Sequence, residues 1–350
     1  MRLKERLREA LNLLPIIAFI IPFIMLYLIQ DVAFSYSFEA TWRGRAFYIF
    51  FIWFAVLEII VSWEKLQPKA FKKPKYMRAI ALILALSLPT IYVVVSNFYG
   101  LNEAIYEWSK SNRIAGAEWA HSFMPLSIEY LAFATFFFLI IFLQYGIDGF
   151  RRMLLAPTFL ATMGIIYMID NLYPYGRFAP LQIPATVTAT VASSFLNLMG
   201  YQTSIAYIKC KEFPQLGWAP DLFYYDPALG RERYVFTVAW PCSGVESLII
   251  YTLFMLIFLR DLDISRTRKV IYFVIGAIIT YFINIGRIIA LFMIAVNYGN
   301  GSELFIRFHE YYGQLISIAW IAVYPLLIIV GGNILQKIKF FIKFLKKRLS

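Results

Sequence analysis

Eight stretches of this chain are apolar over roughly the length that a lipid bilayer demands, and that demand limits the fold more than any other feature. A hydrocarbon core about 30 Å thick, crossed at about 1.5 Å per residue, needs about 20 consecutive, mostly apolar residues. Such stretches lie near residues 13–30, 46–62, 77–96, 127–145, 154–173, 243–259, 270–296 and 311–334. Hydrocarbon offers the backbone no hydrogen-bonding partner, so each stretch reads as a helix. The expected fold is therefore an all-α integral membrane protein with about eight transmembrane helices. Composition agrees: 61% of the 350 residues are hydrophobic and 15% charged, which excludes an ordinary soluble domain.

The formal charge of +12 raises the question of nucleic acid. The basic residues, however, gather in "MRLKERLR", "KAFKKPKYMR" and "KIKFFIKFLKKRLS", beside apolar runs and not along a groove-binding helix. They read as topology determinants facing anionic headgroups, with no nucleic-acid partner. Two cysteines cannot build a disulfide scaffold, although one bridge stays open, and no Cys/His cluster has metal-ligand spacing. No metal or other cofactor is expected.

Charge also orients the spans. Arg2, Lys4, Arg6 and Arg8 place the amino terminus in the cytoplasm, and the first span reads as an anchor, since no small-residue cleavage site follows it. Alternation then puts "EKLQPKAFKKPKYMR", "IDGFRRM", "RDLDISRTRK" and the basic tail inside, all of them rich in Lys and Arg. Both termini are thus cytoplasmic. The Thr/Ser/Ala-rich stretch 181–200 would export the loop around Arg260, Arg266, Arg268 and Lys269 if it spanned, so it is assigned to the outer side as an interfacial or re-entrant helix. Residues 201–241, with Pro, Gly and the alternating "YVFTVAW", predict a short strand or hairpin on that side, before the helix carrying Cys242.

With this topology three chemistry-bearing residues fall at one depth. Cys242, in "WPCSGVES", lies about 25 Å above the cytoplasmic end of its helix, and Arg287, in "YFINIGRIIALF", lies about 25 Å up the next. His309, in "RFHEYYG", precedes the last span at its outer end. An arginine inside a span marks a polar interior site by default; snorkelling to the headgroups, or an ion pair with Glu246, are the plainer readings. Asn284, three residues earlier, makes that helix face polar twice over. Pro241 favours the first turn of a helix, where unbonded N–H groups and the dipole favour a thiolate at Cys242. An inert buried cysteine, or a disulfide with Cys210, are the alternatives. His309 taken alone reads first as an ordinary interfacial histidine, with His121 in reserve. Together a Cys, a His and an Arg form a nucleophile, a general acid/base and an oxyanion or carboxylate binder, which is complete for acyl transfer.

The order "PCSG" opening a helix, "NIGR" within the next, and a His before the last resembles the exosortase/archaeosortase family of membrane-embedded cysteine transpeptidases. The resemblance covers mainly residues 130–335. It divides the chain into N-terminal helices with an outer loop, 1–126, and a catalytic membrane core, 127–350, that includes the outer segment 174–241. It implies Cys242 as nucleophile, Arg287 as the essential helix arginine and His309 as the third polar position. It also implies, as partners, exported proteins ending in a tripartite sorting signal: a short motif, an apolar helix and a basic cluster. The new C-terminus would pass at the outer membrane face to an acceptor, a membrane lipid or another amine or hydroxyl, or else to water.

Ser243, Gly244, Glu246, Ser247, Asn284, Tyr311 and Tyr312 are candidates to surround the reactive set; Gly244 would let a substrate backbone approach. The intramembrane carboxyls Glu58 and Asp170 read as hydrogen-bonding groups within the helix bundle. Three other functions stay open. A transporter or lipid-binding membrane protein would need paired discontinuous helices and repeat symmetry between the two halves, neither of which the sequence shows. A cell-surface scaffold would not depend on Cys242. A lipid-linked glycosyltransferase would need outer acidic residues, for which Asp221 and Asp226 are available.

Overall fold

All eight apolar stretches become helices, in a computed structural model that describes residues 2–28, 42–66, 68, 76–111, 123–172, 179–207, 219–260, 262–313 and 315–331. The first seven α-helices are α1 (Arg2–Leu28), α2 (Trp42–Ser62), α3 (Tyr76–Phe98), α4 (Leu101–Ser111), α5 (Phe123–Tyr145), α6 (Ile147–Arg152) and α7 (Leu155–Leu172). They are followed by α8 (Ala179–Leu198), α9 (Val245–Arg260), α10 (Arg266–Tyr298), α11 (Glu303–Arg307) and α12 (Leu315–Gly331). Among the described residues, Met77–Phe98, Met124–Tyr145 and Arg266–Tyr298 are long and apolar enough to cross a membrane, and five further apolar stretches are shorter. The chain packs as two compact units: residues 1–178 with 209–217, and 179–208 with 218–350. This is a packing partition, distinct from the division at 126/127 drawn from the family resemblance.

The first unit is built on aromatic packing. Phe19, Phe51, Phe133, Phe137 and Phe159 are fully buried, with Phe19 edge-on to Phe51 and Phe133. Helices α5 and α7 pack closely against each other, with α3 on α5 and α2 on α7. Glu58 accepts the N–H groups of Leu155 at 2.9 Å and Ala156 at 3.1 Å, capping the start of α7 from within the bundle. Those N–H groups have no partner inside their own helix, so the carboxylate has a structural use, as a bundle hydrogen bond predicts. Arg78 closes the C-terminal end of α5, donating to the carbonyls of Leu143 at 2.6 Å and Phe142 at 2.7 Å. Two short helices, α4 and α6, were not expected from the sequence. At 11 and 6 residues they are too short for apolar periodicity to stand out, and α4 buries the polar Asn102 and Ser109.

The second unit is organised by α10, whose 33 residues reach about 50 Å, well beyond a hydrocarbon core. Its far end carries a three-stranded antiparallel sheet, order β1-β2-β3, of β1 (Thr203–Ala206), β2 (Asp221–Asp226) and β3 (Arg231–Thr237). Leu196, Val235, Phe292 and Ala295 form the buried junction between sheet and helices. The strand expected from "YVFTVAW" is β3. The stretch around 181–200 is one continuous 20-residue helix, α8, whose small face, Ala185, Ala189 and Ala192, is buried against α10 residues Ile285 and Ile288. Small side chains allow that close approach. Asp221 and Asp226 stand at opposite ends of β2, each taken up locally. Asp221 accepts from Thr237 Oγ1, and Asp226 accepts from the Ala228 N–H.

Candidate active site

Cys242 stands on a separate turn and not, as expected, in the first turn of α9. Residues Trp240–Ser243 form a single 3-10 turn with Pro241 at its start, and Gly244 then takes φ +89° before α9 begins at Val245. Proline fits the start of either helix type; the left-handed glycine decides, because it breaks the helical path between the thiol and α9.

The turn is fixed through its carbonyls. Ala239 O accepts from the Cys242 N–H at 2.9 Å, and Trp240 O from Ser243 Oγ at 2.5 Å. Cys242 O accepts from Asn284 Nδ2 at 3.0 Å, Ser243 O from Thr188 Oγ1 at 2.9 Å, and Gly244 O from the Leu248 N–H at 3.0 Å. The fully buried Trp240 anchors the turn, and Cys242 is half-buried. Thr188 also meets the Tyr281 hydroxyl at 3.2 Å. Nothing in the sequence distinguishes Thr188 from its neighbours in "TVTATVASS".

His309 arrives from the far side. Ser302 caps α11 by accepting the Phe305 N–H, and the chain then widens into a π-turn, Phe308–Tyr312, that carries the histidine. Such widened turns often mark functional sites. The Phe305 and His309 rings lie parallel, 3° apart in plane, with centroids 6.1 Å apart. His309 Nε2 stands 3.6 Å from Cys242 Sγ, within hydrogen-bonding reach for sulfur.

Arg287 closes the arrangement. Its side chain is buried, and Nη2 donates to the His309 carbonyl at 3.1 Å. Gly313, just past the π-turn, leaves room for the stem: a Cβ there would lie 2.7 Å from Nε and 2.9 Å from Cδ. Asn284 and Arg287 share one buried face of α10 with Gly276 and Thr280, so the polar stripe read from the sequence is present. The structure thus brings Cys242, Arg287 and His309 together, with Ser243, Gly244 and Asn284 around them. Glu246 and Ser247 are buried in the first turn of α9, and Tyr312 is exposed. Cys210, His121 and the side chains of Asp170 and Tyr311 lie outside the described residues.

Fold and site together define a helical membrane protein with a thiol, an imidazole and a guanidinium assembled by three separate segments. Over residues 16–326 the sequence matches the family described as Transmembrane exosortase (Exosortase_EpsH), and the chain belongs to that family of membrane protein-processing enzymes. The match begins within α1, so the family's extent includes the N-terminal helices, beyond the residues 130–335 that the motifs cover. No curated protein and no solved structure matches the chain.

Proposed function

We propose that this protein is a cysteine transpeptidase that removes the C-terminal sorting signal of exported proteins at the outer membrane face. The observation that carries the reading is the 3.6 Å contact between Cys242 Sγ and His309 Nε2 in a chain of the exosortase family. The thiolate attacks a substrate backbone carbonyl, and the carbonyl π-electrons move to oxygen, giving a tetrahedral adduct. The positive charge of Arg287 favours that oxyanion. His309, having taken the thiol proton, gives it to the departing amine; the C–N bond breaks, and a thioester remains on Cys242. An acceptor amine or hydroxyl, most simply on a membrane lipid, then loses its proton to His309, attacks the thioester and restores the thiol.

The charge pattern of the sequence supports the orientation. With Arg- and Lys-rich loops in the cytoplasm, the Cys242 turn falls at the outer interface, where the motif of a membrane-held sorting signal would be presented.

The test is carried out in the organism that encodes the protein. C-terminal peptides of its envelope proteins are compared between cells carrying the parent and cells carrying Cys242→Ala, Arg287→Ala or His309→Ala. Processed C-termini are expected to disappear, and full-length proteins with intact apolar tails to accumulate, in all three variants. Normal processing in Cys242→Ala would overturn the reading.

A further inference from the structure

The carbonyls of both reactive residues are held from one helix. Asn284 donates to Cys242 O, and one turn further along α10 Arg287 donates to His309 O. Asn284 is fully buried, and its Oδ1 is a buried acceptor with no hydrogen-bonding partner among the described residues. An unsatisfied acceptor in that position destabilises a fold, so an apolar side chain of the same size would serve packing better. The amide orientation follows from its partner: rotated by 180°, it would set its oxygen against the Cys242 carbonyl oxygen. Gly244 is the matching half of the contact. A Cβ on residue 244 would stand 2.9 Å from both Cγ and Nδ2 of Asn284, so the missing side chain is the space through which the amide reaches the turn.

We propose that Asn284 is a positioning residue for the nucleophile, holding the Cys242 peptide so that the turn before Gly244 presents Sγ to His309. The inference rests on the Cys242–His309 reading above. Asn284 acts through the Cys242 carbonyl: its Nδ2 donates there, and its Oδ1 has no hydrogen-bonding partner among the described residues, unlike an asparagine that orients a catalytic histidine. Gly244 correspondingly serves this contact.

The test uses full-length protein in detergent, carrying Cys210→Ser, and follows the alkylation rate of Cys242 by iodoacetamide from pH 5.5 to 9.5. The parent is expected to react below the range of an ordinary thiol, about pH 8.5, and His309→Ala to remove that low-pH reactivity. Asn284→Leu is nearly isosteric and deletes both the donor and the stranded acceptor. A packing role would leave the alkylation profile unchanged; a positioning role lowers low-pH reactivity at least tenfold while the unfolding temperature is kept. Combined with His309→Ala, Asn284→Leu should cause no further loss, because the two residues act as one unit. Asn284→Ala, which opens space where Leu fills it, is the second variant and should show the same loss. Low-pH reactivity within twofold of the parent in either folded variant, or losses that add in the double variant, would overturn the proposal. A parent profile indifferent to His309→Ala overturns the Cys–His reading and this inference with it; a His309-dependent profile indifferent to Asn284→Leu overturns this inference alone.

Discussion

Gly313→Ala provides the sharpest test of the packing that surrounds Arg287. At an exposed helix position the same change stabilises by about 0.5–1 kcal/mol, because alanine loses less backbone entropy on folding. Here the new Cβ would meet Nε, Cδ and Cγ of Arg287 at 2.7, 2.9 and 3.0 Å, along the middle of a buried stem and not at a movable tip. Such overpacking costs about 1–3 kcal/mol, and displacing the guanidinium from the His309 carbonyl forfeits a charged hydrogen bond worth about 1.5–3 kcal/mol. The sign therefore reverses, to a net destabilisation of about 1.5–5.5 kcal/mol. Gly286, on the same helix as Arg287, is the internal control, since a Cβ there would have nothing within 4 Å. In thermal unfolding of the detergent-solubilised protein, Gly286→Ala is expected to unfold at or above the parent's temperature and Gly313→Ala several degrees below it. Low-pH alkylation of Cys242 should fall only in Gly313→Ala. A Gly313→Ala protein as stable and as reactive as Gly286→Ala would refute the packing argument.

Three further outcomes follow from the fold and the site. Glu58→Leu strands the N–H groups of Leu155 and Ala156 and should destabilise by at least about 2 kcal/mol, read from the unfolding temperature, whereas Glu58→Gln, which keeps one acceptor, should lose less. Burial pushes the Asp221 carboxyl above its ordinary range, opposed in part by the hydrogen bond from Thr237. A folded-state value above the unfolded one means that its contribution is fully present below the unfolded value of about 3.9 and is lost as pH rises through the folded value. Asp221→Asn should therefore be more stable than the parent at pH 7, with the gap closing toward pH 3; a gap independent of pH would contradict this. Arg287→Lys keeps the charge but not the planar fork, and should lower sorting-signal processing at least tenfold, measured on the envelope C-termini; undiminished processing would show that charge alone suffices.

Much of this architecture is legible in the sequence because hydrocarbon imposes it locally. An apolar run of bilayer length must be a helix whatever its neighbours do, and an arginine such as Arg287 within one is conspicuous through its cost. Cys242, Arg287 and His309 share one depth in the topology that the charges imply, and the structure brings them together. What stayed hidden depends on partners distant in sequence. Cys242 and His309 are 67 residues apart, and no local signal ties them. Pro241 suits the start of a 3-10 turn as well as an α-helix, so only the φ of Gly244 separates the Cys242 turn from α9. Gly313 reads as an ordinary glycine until the Arg287 stem is seen against it, and Thr188 as one hydroxyl among several until it meets Ser243 O. Glu58 could be read as a bundle hydrogen bond, but not as the cap of a helix that begins almost 100 residues later.

The central claim is that Cys242 carries the substrate as a thioester, and the direct measurement is the mass of the peptide containing Cys242 in protein isolated from its own membranes. The account predicts an acyl adduct on Cys242 whose polypeptide is released by neutral hydroxylamine with a C-terminal hydroxamate, and no such release from Cys242→Ala. Hydroxamate-terminated proteins appearing equally in Cys242→Ala, or an unmodified Cys242 in membranes that are actively processing substrate, would contradict it.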